Sequence, residues 1–307
     1  MSDANTPPHA LASSVVNADV GAPRIDIGFL EAGGLTLRRM LVRGPRSKGT
    51  VLLLHGFPES VHAWKDIALS LGRDHEVHAF DWPGFGFSSR PDADAFPYSP
   101  RDYARVLAAY IDAAGIDRTT LTIYATDIGA LPTLLLALER PDVARALIVG
   151  DFAPFDRPEL MSPNLQALKA EPSAEAVRTR MNANADEIIQ NTFTRGLPDD
   201  ARYEVSDELR DDITRAWNHG AMTSVDAFAH YYRQFSRDQQ YLEANIGRLK
   251  APVKVVWGEK DLYISRDMGI EFAAKARAPL TVLSGIGHYP HLQAPDAAIA
   301  EIRASFD

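Results

Sequence analysis

The chain reads as an α/β protein, a mostly parallel twisted sheet flanked by helices on both faces and interrupted once by a helical insertion. Three observations predict this. Runs apolar on both faces recur at Thr50–Leu54, Leu121–Ala125, Ala144–Gly150 and Val253–Gly258, as strands covered from two sides must be. Helical patterns alternate with them, which calls for parallel strands joined by crossovers. The alternation then stops between Ala153 and Leu249, where the sequence is helical, charged and punctuated by Pro158, Pro163, Pro172 and Pro198.

Taken in order, residues 1–23 are rich in Ala, Ser, Asn, Pro and Val without periodicity, and a flexible tail is expected. Ile25–Leu30 and Leu35–Val42 alternate around Gly33-Gly34, the signature of a hairpin. The strand at Thr50–Leu54 ends on His55-Gly56-Phe57-Pro58, and an amphipathic helix is expected from Val61 to Leu71. Glu76–Phe80 is the next strand, closing on a loop of glycines and aromatics from Asp81 to Ser88. A helix from Pro100 to Ala114 leads to the strand ending at Thr126, and Ile128–Leu138 is the helix that follows. After the insertion come a strand at Val253–Gly258, a helix at Met268–Ala276, a strand at Leu280–Leu283 and a last helix at Pro295–Phe306. The division is thus a tail at 1–23, a core at 24–152 and 250–307, and a helical lid at 153–249.

Composition narrows the partners. A formal net charge of −9, with Lys and Arg scattered, argues against a nucleic-acid groove or an anionic membrane surface. No apolar run approaches the roughly 20 residues that span a bilayer, and residues 1–23 lack the basic start and apolar stretch of a secretion signal. A cytoplasmic location is expected. With no Cys, disulfides, thiolate metal sites and a cysteine nucleophile are excluded. No metal-ligand cluster or phosphate-binding glycine loop is visible, so no metal or organic cofactor is expected. Oligomeric state is open.

The stretch Leu121 to Ala130 organises the chemistry. A β-branched and aromatic strand runs into a helix with almost no loop, and Ala125 and Gly129 flank Asp127 with small side chains. Such a strained strand-to-helix turn pushes its central side chain outward. A helix-capping aspartate would have the same address, so the neighbours must decide. In an open parallel sheet, ligands meet the protein beyond the carboxyl ends of the strands. Four features fall there: His55-Gly56-Phe57-Pro58, Asp127, Asp261 in Gly258-Glu259-Lys260-Asp261, and His288 in Gly285-Ile286-Gly287-His288.

This order of Asp, Asp, His resembles the nucleophile–acid–base order of the α/β-hydrolase fold with Asp in place of Ser. From about Ile25 to the C-terminus the chain is similar to the α/β-hydrolases with an aspartate nucleophile, the group of epoxide hydrolases and haloalkane or haloacetate dehalogenases. The resemblance implies Asp127 as nucleophile, His288 as base and Asp261 as orienting acid, with the backbone N–H groups of Phe57 and Ile128 as oxyanion hole. Asp127 would attack a saturated carbon to form an alkyl ester, and water activated by His288 would then cleave it. The substrate would be a small apolar electrophile, with water as second reactant. Asp151, after the preceding strand, is the rival acid and is read as a structural or loop-capping group; Lys260-Asp261 is also ordinary turn chemistry. His55 is read as a support.

An epoxide oxygen needs a proton or hydrogen bond as it leaves, whereas a halide needs N–H donors. Ile128 offers no side-chain donor after the nucleophile, and Phe57 stands where a donor Asn would serve a halide. No Arg or Lys occupies the first turns of the following helix, as a haloacetate would favour. In His230-Tyr231-Tyr232-Arg233-Gln234, Tyr232 matches the place of a ring-opening tyrosine. Two departures stand against this: Ala153–Gln190 holds no Tyr or His, and Thr126 precedes the aspartate where His is common. Trp64 and Trp82 are expected as core or pocket wall and Trp217 and Tyr231 as pocket, with Trp217, Asn218 and His219 as substitute donors. The expectation is an epoxide hydrolase-like enzyme, with a carbon–halogen hydrolase as alternative. A scaffold retained for ligand binding is the non-enzymatic alternative, and the complete Asp127, Asp261 and His288 set argues against it.

Overall fold

The computed structural model describes residues 22–45 and 47–307, so the expected tail lies, except for its last two residues, outside the described residues. Strands β1 (Arg24–Ala32) and β2 (Leu35–Arg43) form the hairpin, with Ala32 opposite Leu35. A two-residue turn of this hand needs positive φ at both central positions, and Gly33 and Gly34 adopt 60° and 80°. The other strands are β3 (Thr50–Leu54), β4 (Glu76–Phe80), β5 (Leu121–Thr126), β6 (Ala146–Gly150), β7 (Val253–Gly258) and β8 (Leu280–Leu283). Their order across the sheet is β1-β2-β4-β3-β5-β6-β7-β8. Only the β1–β2 and β2–β4 pairings are antiparallel.

This order places the site. The chain leaves β3 toward β4 on one side and returns to β5 on the other, so the loops after β3 and β5 diverge and leave a crevice between them. Strand side chains alternate between faces. Leu52 and Leu54 join the apolar cluster under α2 (Pro100–Ala113) and α3 (Ala130–Glu139). Val51 and Leu53 join a smaller cluster with Trp64, Ile67 and Leu71 on one side and Ile299 and Ile302 on the other. That second face is closed by α1 (Lys65–Leu71), preceded by a 3-10 turn at Val61–Trp64, and by a C-terminal helix at Pro295–Ala304.

Between β6 and β7 run helices α4 (Pro163–Ala167), α5 (Ser173–Ala183), α6 (Ala185–Asn191), α7 (Asp207–Ala216), α8 (Ser224–Arg233) and α9 (Phe235–Asn245). Helix α8 starts on a capping box in which Thr223 and Asp226 satisfy each other's backbone N–H, which sets the phase that buries Phe228, Tyr231 and Tyr232. Two buried arginines of the core hold this half of the insertion. Arg38 grips both Asp212 oxygens at 2.7 Å while its Nε reaches Asp81 at 2.5 Å. Arg90 donates to the carbonyls of Ala216, Trp217 and Met222. After β7 come α10 (Arg266–Ala276), a short α11 (Pro290–Gln293) and α12, the helix at Pro295–Ala304.

The differences from expectation are at ends and junctions. The helix expected from Ile128 begins as a 3-10 turn at Asp127–Gly129 and becomes α-helical at Ala130, because β5 hands over without a loop and the first turn must be tight. The last helix stops at Ala304, and α11, only one turn long, is too short to leave a periodic pattern in the sequence. Among the described residues no helix is long and apolar enough to cross a membrane.

Candidate active site

Asp127 sits at φ 47°, in a left-handed conformation that a non-glycine residue adopts at a cost of about 1–3 kcal/mol. The turn lifts the carboxylate out of the sheet, and the return loop of β3 closes against it. A Cβ at Gly56 would lie 2.6 Å from Asp127 Cβ, so position 56 has no room for a side chain. That close approach delivers the Phe57 N–H to Asp127 Oδ1 at 2.8 Å. Ile128 is different: no hydrogen bond from its N–H to the Asp127 carboxylate is present among the described residues, and its carbonyl accepts from Tyr231 Oη at 3.1 Å.

The other Asp127 oxygen, Oδ2, lies 3.5 Å from His288 Nε2. His288 follows β8, and its Nδ1 is 2.8 Å from Asp261 Oδ2, beyond β7. Asp261 is fixed in turn by the N–H groups of Tyr263 and Ile264 on Oδ1, at 2.8 and 3.0 Å. Burial alone would lower the His288 pKa, but Asp261 and Asp127 outweigh it and hold the imidazole well above its ordinary 6.5. The structure thus brings Asp127, His288, Asp261 and the Phe57 N–H to one place.

Asp151 lies close by, also at positive φ, 49°. Its Oδ1 accepts the Gly258 N–H at 2.9 Å and its Oδ2 has no partner among the described residues. Burial, then the Asp261 charge, raises its pKa well above the ordinary carboxylate value of 3.8. Asp151, Asp261 and His288 each bring a donor atom within 4.8 Å of the others. The His288 nitrogen facing them is taken by Asp261, so the hydrogen bond accounts for the grouping. His55 is wholly buried: its ring accepts from Trp82 N at 3.2 Å and contacts Gly56 O at 2.7 Å, and burial lowers its pKa.

A cavity of about 690 Å³ opens on Asp127 and His288. Its wall is mostly apolar, with Phe57, Met161, Leu165, Ile188, Phe228 and Leu262 among the lining residues, and Arg180, Arg195, Glu159 and Glu187 also line it. The expected wall residues are elsewhere. Trp64 belongs to the opposite face of the sheet, stacked on His291 at 4.3 Å. Trp82 is buried under the β3 loop, its indole N–H on His55 O at 3.1 Å. Trp217 is buried against Phe57, and the Tyr231 hydroxyl is spent on Ile128 O. None of these four lines the cavity. An aromatic ring in a sequence gives size without direction, and here core packing took all four.

Tyr232 is buried behind Phe228, ring centroids 5.0 Å apart, one helical turn further along α8. It is not among the lining residues, but its hydroxyl makes no hydrogen bond to another described residue. Burial, with the Asp127 charge adding, keeps its proton on to well above pH 10. Sequence reasoning missed Tyr263 and Tyr289, which line the cavity and flank His288 edge-on at 5.0 and 4.9 Å. Their adjacency to Asp261 and His288 was the available signal. Their hydroxyls are engaged, Tyr263 with Thr192 and Tyr289 with Phe57 O.

An eight-stranded sheet with a strained acidic turn after β5, a histidine after β8 and a helical insertion between β6 and β7 defines a hydrolase-type scaffold. Residues 51–302 match the model of the alpha/beta hydrolase family, and the chain belongs to that family. A haloalkane dehalogenase of Mesorhizobium japonicum is 28% identical over 65% of this chain and 62% of its own length. The chain therefore spans less than two thirds of that relative. A 2-hydroxy-6-oxononadienedioate/2-hydroxy-6-oxononatrienedioate hydrolase of Klebsiella pneumoniae is 25% identical over 87% of this chain and 90% of its own. Among solved structures, epoxide hydrolase VrEH1 from Vigna radiata superposes with a TM-score of 0.70 at 22% identity, covering 91% of this chain and 97% of that one, a likeness of fold.

Proposed function

We propose that the protein hydrolyses an epoxide to a diol through a covalent alkyl-aspartate ester. The observation that carries this is the division of labour on one carboxylate: Phe57 N–H holds Oδ1, while Oδ2 faces His288 Nε2 across 3.5 Å beside a largely apolar cavity. Asp127 attacks an oxirane carbon, the ring C–O bond breaks, and the oxygen takes a proton from a donor. We assign the donor to Tyr232 on its match to the place of a ring-opening tyrosine: it lies behind Phe228, off the cavity wall, and its hydroxyl stays uncommitted to any other described residue while those of Tyr231, Tyr263 and Tyr289 are engaged. In the second step His288 takes a proton from water. The hydroxide adds to the ester carbonyl, charge develops on the oxygen beside Phe57 N–H, and the alkyl–oxygen leaving group departs protonated as the diol.

An aspartate is a poor nucleophile toward a carbonyl but a serviceable one at saturated carbon. This separates the reading from the activity named for the Klebsiella relative. A second reading, hydrolysis of a carbon–halogen bond by the same ester, draws support from the Mesorhizobium relative and from Asn164, an amide N–H donor at the cavity wall. None of the chain's four tryptophans lines the cavity to receive a halide.

The test is the intact mass of the His288→Ala protein after mixing with styrene oxide and, separately, bromohexane. With the base removed the ester should persist, and the added mass identifies the electrophile captured. One turnover of the unaltered protein in heavy-oxygen water should place the isotope in the Asp127 side chain; label confined to the product would refute the covalent route.

A further inference from the structure

Behind the turn that carries Phe57 lies a second histidine–carboxylate pair. His291 Nε2 is 2.5 Å from Glu59 Oε1, and both side chains are fully buried. The remaining Glu59 oxygen accepts the Gly56 N–H at 2.8 Å, and Glu59 N–H returns to Gly56 O at 3.1 Å. Glu59 is therefore clamped onto the residue just before Phe57. His291 sits on α11, three residues past His288, its ring stacked on Trp64. Tyr289, between the two histidines in the chain, donates to Phe57 O at 3.0 Å. Two hydrogen-bond routes thus run from the segment of the base to the turn of the Phe57 donor, one through Tyr289 and one through His291 and Glu59.

We propose that Glu59 and His291 are positioning residues that set the Phe57 N–H against Asp127 and thereby govern cleavage of the covalent ester rather than its formation. The inference rests on the alkyl-aspartate reading above. Its physical basis is an asymmetry between the steps. Asp127 loses its charge when it is alkylated, so a hydrogen bond to Oδ1 favours the starting carboxylate there and gives no help to the attack. In the hydrolytic step, negative charge grows on that oxygen, and a donor held in place stabilises the transition state. A pair that only stiffened the fold would change stability and the active fraction, not the ratio of the two rates.

Glu59→Gln and His291→Gln keep a hydrogen-bonding group at each position, whereas alanine would leave a buried charge or donor without a partner. Rapid-quench intact-mass measurements with styrene oxide and bromohexane follow both formation and loss of the ester. Both variants are expected to form it at the unaltered rate and to lose it about tenfold more slowly, a smaller effect than the roughly 100-fold from deleting an oxyanion donor outright. The labelled fraction at steady state should rise accordingly. Equal slowing of both steps, or no change in either, overturns the role of the pair. The His288→Ala protein separates the two levels: an adduct there with unchanged Gln variants refutes only this inference, while no adduct with either probe refutes the alkyl-aspartate reading and this inference with it.

Discussion

His288 Nδ1 and Asp261 Oδ2 lie 2.8 Å apart, while Asp151, close enough to compete, spends its only hydrogen-bonded oxygen on the Gly258 N–H. Of the two acids at strand ends, Asp261 is the one in contact with the imidazole. Asp261→Asn should lower turnover by about three to four orders of magnitude, the scale for losing the group that fixes a catalytic histidine's tautomer. Asp151→Asn should leave turnover within about fivefold. Steady-state rates of the two variants on the same epoxide decide it; the reverse ranking would make Asp151 the acid.

Asp151 also carries a stability prediction. Its folded-state pKa is raised, so the unfolded chain releases a proton that the folded chain keeps, and stability falls as pH rises above about 4 toward the folded value. Replacing it with Asn removes that loss. The variant should gain stability at neutral pH relative to the unaltered protein and gain little near pH 4. Urea unfolding at the two pH values measures the difference; an equal effect at both would show that the carboxyl is ionised in the fold.

Tyr231 and Tyr232 are adjacent but make opposite commitments, one hydroxyl on Ile128 O and the other without a hydrogen bond to another described residue. Tyr232→Phe should cut ester formation from styrene oxide by about 100-fold or more, the lower bound for a positioned acid. It should leave ester formation from bromohexane unchanged, since a halide leaves unprotonated. If both probes slow equally, Tyr232 is packing the insertion and not donating a proton.

Asp261 and Asp127 together outweigh burial and raise the His288 pKa, and alkylation of Asp127 would remove its share of that effect. Asp127→Asn mimics that state, so His288 should titrate at lower pH in the variant than in the unaltered protein. Ester hydrolysis should then rise with pH through the lower of the two values. The linkage sign follows: a raised histidine pKa stabilises the fold fully below about 6.5, and this is lost as pH rises through the folded value. Imidazole proton resonances followed against pH measure both titrations.

Gly56→Ala tests the approach of the two loops. Its Cβ would meet Asp127 Cβ at 2.6 Å and backbone must shift, at a cost of about 1–3 kcal/mol. Turnover should fall more than stability, because the displaced backbone carries the Phe57 N–H; thermal unfolding set beside turnover makes the comparison.

Much of this was legible in the chain itself. Asp127, Asp261 and the His55-Gly56-Phe57-Pro58 turn stand where a buried strand ends, and His288 follows the half-exposed edge strand β8; such ends are marked by the change from apolar runs to Gly, Asp and Pro. Once alternation specified a parallel sheet, its carboxyl edge was specified as well, because parallel strands put all their ends on one side. Tertiary structure decided everything that depends on which way a side chain points across a contact distant in sequence. It sent Trp64 to the opposite face and Trp82 and Trp217 into the core, brought Tyr263 and Tyr289 against His288, and left Tyr232 rather than Tyr231 with its hydroxyl uncommitted. The physical reason is that strand periodicity is a local property of the backbone. The orientation of an inserted helix over a cavity is set by long-range anchors, here Arg38 on Asp212 and Arg90 on the carbonyls of residues 216, 217 and 222, which no local pattern announces.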